Sequence, residues 1–519
     1  MEIQTGIARL EQAIWQRRPI LGEIMAKHGN KTLHAYSRDF LDVNPSPVLD
    51  VRKQEIIEAA GSILQRRLGQ EVAAGVMRQL KKLPLVSTAD HHATIDSPFW
   101  VNSNIVGSLP RDMTDPDLKY LVVFSFASVS LNNASGYPRG IDFHNDAAGD
   151  RSITHLPVFP DRMKMGTVYA TKPFTGSDVV HAQETVVSLE KNGKLCRERA
   201  QGIEEILKTY FMNQDVILSP DLNTQITKIN FAMWPKLFHG TKGAETAEAQ
   251  KNITPDLIYL EIETLVTLLL TRFHLTNRSS LIHSVLFDAD WEPLIRKYFA
   301  DLPGSFAENG EWGTYFFWGL DEKLRRVKLK LVGNTLQSFD GSTQIPWTPE
   351  AISSALHSKR IMPNMLLCYL MVAFYYGMKC LGGFCQVHDL TRVKEAWQTM
   401  LKERGEFIEA AALEPVQTKE LGSAMVLAYV RTTDGGTVPA TGIDMIMEKS
   451  DTSMKKYVTL SKTITLEEAM SSMLPEMYTV LYAEKERDPA LLQITPERIL
   501  RETGMEKKLT SDVRSLRCG

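Results

Sequence analysis

Apolar residues along the chain fall into long stretches of helical period, separated by shorter runs with strand content. Ile7, Leu10, Ile14 and Trp15 recur at helical spacing, and predict an amphipathic helix over 5–28 that breaks at Pro19. Ile56, Ile57, Ala60, Ile63 and Leu64 mark the buried face of one or two helices over 50–82, broken at Gly69. Arg66, Arg67, Arg78, Lys81 and Lys82 read as the solvated face. Residues 120–130, β-branched and aromatic, predict a strand, and 166–171 another. Between 176 and 300 the pattern turns helical, best over 195–212 and 254–275. The second of these opens on Thr254-Pro255-Asp256, an N-cap, a proline and a first-turn acid. Thr348-Pro349-Glu350 and Thr495-Pro496-Glu497 repeat that start.

Val327, Leu329 and Leu331 alternate with Arg326, Lys328 and Lys330, a period-two pattern with one buried and one basic face within 313–333. A polar connector at 333–345 marks a domain boundary. Beyond it helices are expected at 348–358, 363–380 and 388–404. A hairpin of 424–431 and 441–448 turns at Asp434-Gly435-Gly436, and a final helix starts at the capping box Thr465–Glu468. The fold class is therefore α+β or mixed α/β and helix-rich, with a small mixed sheet near 83–175 and further strands near 313–333 and 424–448. Three regions follow: an N-terminal helical segment at 1–82, a main α/β region at 83–345 and a helix-rich region at 346–519.

Composition narrows the function classes. Of 519 residues, 43% are hydrophobic and 23% charged, enough for a large core. The net charge of -3 gives no electrostatic reason to expect nucleic acid as a partner, local basic patches aside. Five cysteines, an odd and sparse set, argue against a disulfide framework and for a reducing, cytoplasmic compartment. The first residues lack the apolar core of a signal peptide, so export is not expected. The longest apolar run, 365–378, is too short to span a bilayer comfortably and reads as a buried helix.

The chemistry concentrates at 83–107, where Asp90, His91, His92 and Asp96 sit within seven residues. Five of the twelve histidines (91, 92, 144, 155 and 181) fall between 88 and 181. In the favoured reading His92 is a general base, Asp96 orients its ring, and His91 assists or binds substrate. The string HHATID resembles the H-H-x-x-x-D pattern of condensation-type acyltransferases and, from His91, the H-x-x-x-x-D pattern of glycerolipid-type acyltransferases. Ser97 stands where the condensation family has glycine, and the resemblance covers six residues. It implies a histidine that deprotonates a hydroxyl, amine or thiol for attack on a thioester. In the runner-up reading Asp90, His91, His92 and His144 hold a divalent metal for a hydrolase or lyase; ADHH is similar to the name motif of DHH phosphoesterases, without that family's earlier paired aspartates. A structural reading has Asp90 capping a turn and one histidine buried against a backbone partner.

The loop 130–140 supplies a second half. Asn132 and Asn133 offer amide groups and Arg139 a bidentate fork, with Lys172 adding positive charge, so the expected partner is a small anionic molecule. Cys380, Cys385 and His388 form only a partial metal pattern, and Ser280 reads as a helix cap. No phosphate-binding loop or dinucleotide fingerprint is present, so neither nucleotide mode is expected. The reading is a soluble enzyme with a His/Asp acid–base centre and acyl-type group transfer. A metal-dependent hydrolase or lyase comes second and a non-enzymatic interaction protein third.

Overall fold

Runs rich in valine, isoleucine, leucine and aromatics become the central strands, because such side chains pack well on a pleated surface buried on both faces. The computed structural model describes residues 2–44, 46–111, 114–146, 151–238, 254–448 and 452–509. Its strands in chain order are β1 (Leu85–Ser87), β2 (Tyr120–Ser125), β3 (Gly140–His144), β4 (Ile153–Pro157), β5 (Asp256–Glu261), β6 (Phe317–Leu320) and β7 (Arg326–Val327). They continue as β8 (Leu329–Val332), β9 (Thr335–Ser338), β10 (Gln344–Pro346), β11 (Ile361–Pro363), β12 (Lys379–Leu381), β13 (Tyr429–Arg431) and β14 (Thr437–Pro439). The chain is helix-rich α+β, as expected.

One four-stranded sheet organises it, in the order β12-β1-β2-β5, all parallel. Side chains alternate across it. Leu85, Leu121, Val123, Leu257 and Tyr259 enter one hydrophobic core; Val86, Val122, Phe124, Ile258 and Leu260 enter the other. The remaining strands form small antiparallel groups: β8-β9-β10, β7-β6-β11, and the hairpins β3-β4 and β13-β14. Among the described residues no helix is long and apolar enough to cross a membrane.

Several helix starts agree with their capping residues. The helix broken at Pro19 is the pair Ile3–Arg17 and Pro19–His28. Thr348 and Thr495 accept from the backbone N–H groups of Ala351 and Arg498, and Thr465 with Glu468 completes a capping box. Ser280 caps Leu281–Phe287. The other Thr-Pro-Asp start misleads. Asp256–Glu261 is a strand paired along its whole length with β2, and helix begins only at Ile262. Tertiary pairing overrides the local cap signal there. The expected strand at 166–171 is a short 3-10 turn at Val168–Ala170. Residues 441–448 form a helix, Gly442–Met447, so the hairpin partner of β13 is the shorter β14. The expected helix 363–380 ends at Tyr375, and Lys379–Leu381 becomes the sheet edge. Among the described residues Cys368, Cys380 and Cys385 are free thiols and Cys196 is disulfide-bonded. Cys518 and parts of the turns at 112–117 and 146–152 lie outside the described residues.

Gly69 separates the helices Pro47–Leu68 and Gln70–Lys82 with φ 89° and ψ 169°. Only glycine adopts that backbone without strain. A Cβ there would meet no atom within 4 Å. Gly69→Ala is therefore expected to lower the unfolding free energy by about 1–3 kcal/mol through backbone strain alone. Chemical denaturation checks this, and an unchanged midpoint would refute it.

Candidate functional site at the carboxyl end of the parallel sheet

In open parallel sheets ligands bind beyond the carboxyl ends of the strands. The Asp90–Asp96 stretch follows β1 at that end. It first continues the sheet: the Phe126 N–H donates to the Asp90 carbonyl at 2.9 Å and the His92 N–H to the Phe126 carbonyl at 2.8 Å. Successive residues of extended chain point opposite ways. His91 and His92 accordingly enter different surroundings.

His92 is fully buried. Its Nε2–H donates to the Asn223 carbonyl at 3.1 Å and its Nδ1 accepts from Ser125 Oγ at 2.8 Å, so neither ring nitrogen remains for a substrate proton. The expected His92–Asp96 pair is not formed. Asp96 Oδ2 accepts from Thr94 Oγ1 at 2.8 Å and from the Asp142 N–H at 3.2 Å. Burial, then the neighbouring Asp142 charge, pushes the Asp96 carboxyl well up. Asp90 is fully buried too. It accepts from Ser103 Oγ at 2.7 Å, Asn104 Nδ2 at 2.6 Å and the Tyr259 hydroxyl, tying β1 to the Pro98–Ser108 helix and β5. Burial raises it to about 6 despite those donors.

His91 is half-buried, edge-on to Trp100 at 5.2 Å. Its Nδ1 lies 2.9 Å from Asn133 Oδ1. That oxygen also accepts the Ser135 N–H at 3.1 Å, which identifies it as the amide carbonyl. His91 Nδ1 must then carry the proton, and Nε2 presents its lone pair. Among the described residues nothing hydrogen-bonds to Nε2. Burial holds His91 down to about 4, with the Arg326 charge acting in the same direction, so the ring is neutral at pH 7. The two loops thus do meet, through His91 and Asn133 and through Ser97 Oγ donating to the Ser135 carbonyl at 2.8 Å.

Two further residues join this edge. Glu263, just after β5, accepts the N–H groups of Ala127 at 2.9 Å and Ser128 at 2.8 Å, in the turn that follows β2. Its burial raises it to about 7, those bonds acting the other way. Arg326 of β7 lies over the Trp318 ring at 4.9 Å and makes no hydrogen bond or ion pair among the described residues. Burial lowers the Arg326 pKa, and the Glu263 charge acts the other way. Arg326 is exposed, as the outer basic face of 313–333 requires, and Glu263 lies in the first turn of the helix Ile262–Leu269. The β-branched and aromatic content of 256–261 is the signal that places a strand just before Glu263.

The other expected residues go elsewhere. Arg139 is buried, and its Nε and Nη1 are spent on the Phe159 carbonyl at 2.8 Å and Asp161 at 3.0 Å. It holds the 157–161 turn and is no free anion clamp. Asn132 and Lys172 are exposed, with no side-chain bond to His91 or Asn133. The metal set does not converge. His144 Nδ1 pairs with Asp444 at 2.6 Å, and Asp444 with Arg199 at 2.9 Å, whereas Asp90, His91 and His92 each bond to other partners. Among the described residues no three His, Cys, Asp or Glu side chains are arranged to hold a metal ion, the Cys380–Cys385–His388 pattern included. A second His–Asp pair forms between cross-strand partners of the β3-β4 hairpin. His155 Nδ1 donates to Asp142 Oδ1 at 2.6 Å, and that bond raises the His155 pKa. Comparison with known protein families and with curated proteins finds no match for this chain.

Proposed function

We propose that the chain is an enzyme of general acid–base type, acting on a small anionic substrate at the carboxyl end of the parallel sheet, with His91 Nε2 as the base. The observation that carries this reading is the relay from Ser135 through Asn133 to His91, which sets the tautomer and leaves Nε2 unpartnered. An oriented neutral imidazole beside an unspent guanidinium suits proton removal from a nucleophile whose partner is anionic. Arg326 supplies the charge, favoured through space by the Glu263 carboxylate, and Glu263 anchors the turn next to His91. Acyl-type group transfer remains the reaction class that best suits such a base, since it asks for deprotonation of a hydroxyl, amine or thiol. The base moves one residue from the expected His92, and the orienting group is an asparagine in place of Asp96.

The test is thiol release from a panel of acyl thioesters carrying a carboxylate or phosphate. His91→Gln is expected to lower the rate by about 10²–10⁴-fold. Asn133→Ala should lower it less and shift its pH profile, and Arg326→Ala should act chiefly on KM. Full activity in His91→Gln would remove the acid–base reading. A wild-type chain that turns over no thioester ends the acyl assignment.

A further inference from the structure

A cavity of about 300 Å³ opens between the Pro19–His28 helix, the turn at Asp39–Leu41 and the segment 417–420. Its inner wall is apolar: Tyr36 and Phe40 stack edge to face at 5.3 Å beside Ile24. Most charges around it are already paired. Asp39 binds Lys31 at 2.7 Å and Glu23 binds Lys419 at 2.5 Å. Asp42 accepts from Asn44 at 3.1 Å. The buried Lys379 donates to the carbonyls of Asp39 and Asp42, with Glu420 Oε1 3.6 Å away.

Three polar groups remain unspent on this one cavity. Glu420 Oε2 is buried without a hydrogen-bond partner. His28 Nδ1 is likewise buried and unbonded, 3.7 Å from Asp39. The Lys27 ammonium makes no hydrogen bond or ion pair among the described residues. The carboxylates of Glu23, Asp39, Asp42 and Glu420 are matched in number by Lys27, Lys31, Lys379 and Lys419, so the site carries no strong net field. A simple cation would satisfy Glu420 and leave Lys27 unused, and a simple anion the reverse. Only a ligand with both charges uses both groups: leaving the buried Glu420 oxygen unpaired is costly, and the exposed Lys27 ammonium stands free at the rim to meet an anionic group. The volume sits at the small end of ligand pockets.

We propose that this cavity binds a small zwitterion of the α-amino acid class, its ammonium donating to Glu420 Oε2 and its carboxylate held by Lys27, with His28 contributing a ring nitrogen between them. Tyr36 and Phe40 form the apolar wall for the side chain. Burial pushes the Glu420 carboxyl up, Lys379 notwithstanding, so an incoming ammonium has a desolvated acceptor to stabilise.

The experiment is thermal shift and isothermal calorimetry on the full chain. The probes are the free L-amino acids, their amides (ammonium only) and their N-acetyl derivatives (carboxylate only). At least one free amino acid should raise Tm saturably, and neither blocked form of it should. Lys27→Ala and Glu420→Gln should each weaken Kd by about tenfold or more. Lys27 is exposed, so Lys27→Ala tests the proposal even where Glu420→Gln fails to fold. The proposal is overturned by no saturable binding of any free amino acid, by equal binding of an amide or N-acetyl form, or by an unchanged Kd in Lys27→Ala.

Discussion

Replacing Arg67 by leucine is expected to lower the unfolding free energy by about 3–5 kcal/mol, the largest single effect we anticipate. Arg67 grips Glu261 with two bonds of 2.5 Å, and their side chains are 7% and 1% exposed. The pair fastens the Pro47–Leu68 helix to the carboxyl end of β5, and Arg67 also donates to Thr227 Oγ1 at 3.1 Å. Removing the guanidinium leaves Glu261 desolvated, with His92 Nε2 at 3.9 Å as its nearest remaining basic group. Burial disfavours a charged Glu261, yet Arg67 outweighs it and holds the carboxyl down to about 2. Urea denaturation of Arg67→Leu and of the double variant Arg67→Leu/Glu261→Leu decides the matter. The double variant should recover much of the loss, because the unpaired charge rather than the missing pair carries the penalty. A double variant as unstable as the single one would show that packing dominates.

Asp444→Leu should cost about 3 kcal/mol or more, and removes a feature that shapes the acid limb of stability. Asp444 is fully buried, accepts from His144 and Arg199, and caps its own helix through the Thr441 N–H. Without it Arg199 stays buried with the His144 carbonyl as the one acceptor for its side chain among the described residues. Burial would raise Asp444, but His144 and then Arg199 bring it well below the usual carboxylate range. The sign follows directly. With Asp444 and Glu261 both depressed, the unfolded chain binds more protons than the folded one from about pH 4 downward. Their stabilisation is complete above the unfolded-state pKa and is lost as pH falls towards 2. Asp90 and Glu263, raised to about 6 and about 7, act oppositely: stability should decline as pH rises from about 4 to 7. Denaturation midpoints across pH 2–8 should therefore peak on the acidic side of neutrality. Asp444→Leu should flatten the acid limb, and a midpoint that rises steadily to pH 8 would contradict the assignment.

Helix positions were largely legible in the sequence, because each turn carries its own signal. Pro19, Gly69, Thr348, Thr465 and Thr495 mark boundaries by local chemistry that survives folding. Strands were less legible, since their partners are remote. Asp256–Glu261 carried a helix-like start and became β5, and Lys379–Leu381 was the tail of an apolar run until β1 claimed it. The site suffers the same problem. The cluster at 90–96 and its meeting with 130–140 could be anticipated, but alternation at the end of β1 decides which histidine reaches the edge. It buries His92 and half-exposes His91. Arg67, expected on a solvated face, instead finds a buried carboxylate, whereas Arg326 stays exposed on its outer face over an aromatic ring. Arg139, chosen for its fork, spends it on its own turn.

The sheet order has a consequence for how the chain is made. β1 pairs on one side with β2, which emerges soon after it, and on the other with β12, where Leu85 meets Lys379. At ribosomal speeds of about 5–20 residues per second, that second edge stays open for roughly tens of seconds. Throughout that interval the nascent chain presents an apolar, hydrogen-bond-hungry strand edge, the template on which misassembly starts. Residues 83–92, which carry the proposed base, therefore belong to the part of the fold that is begun early and finished late.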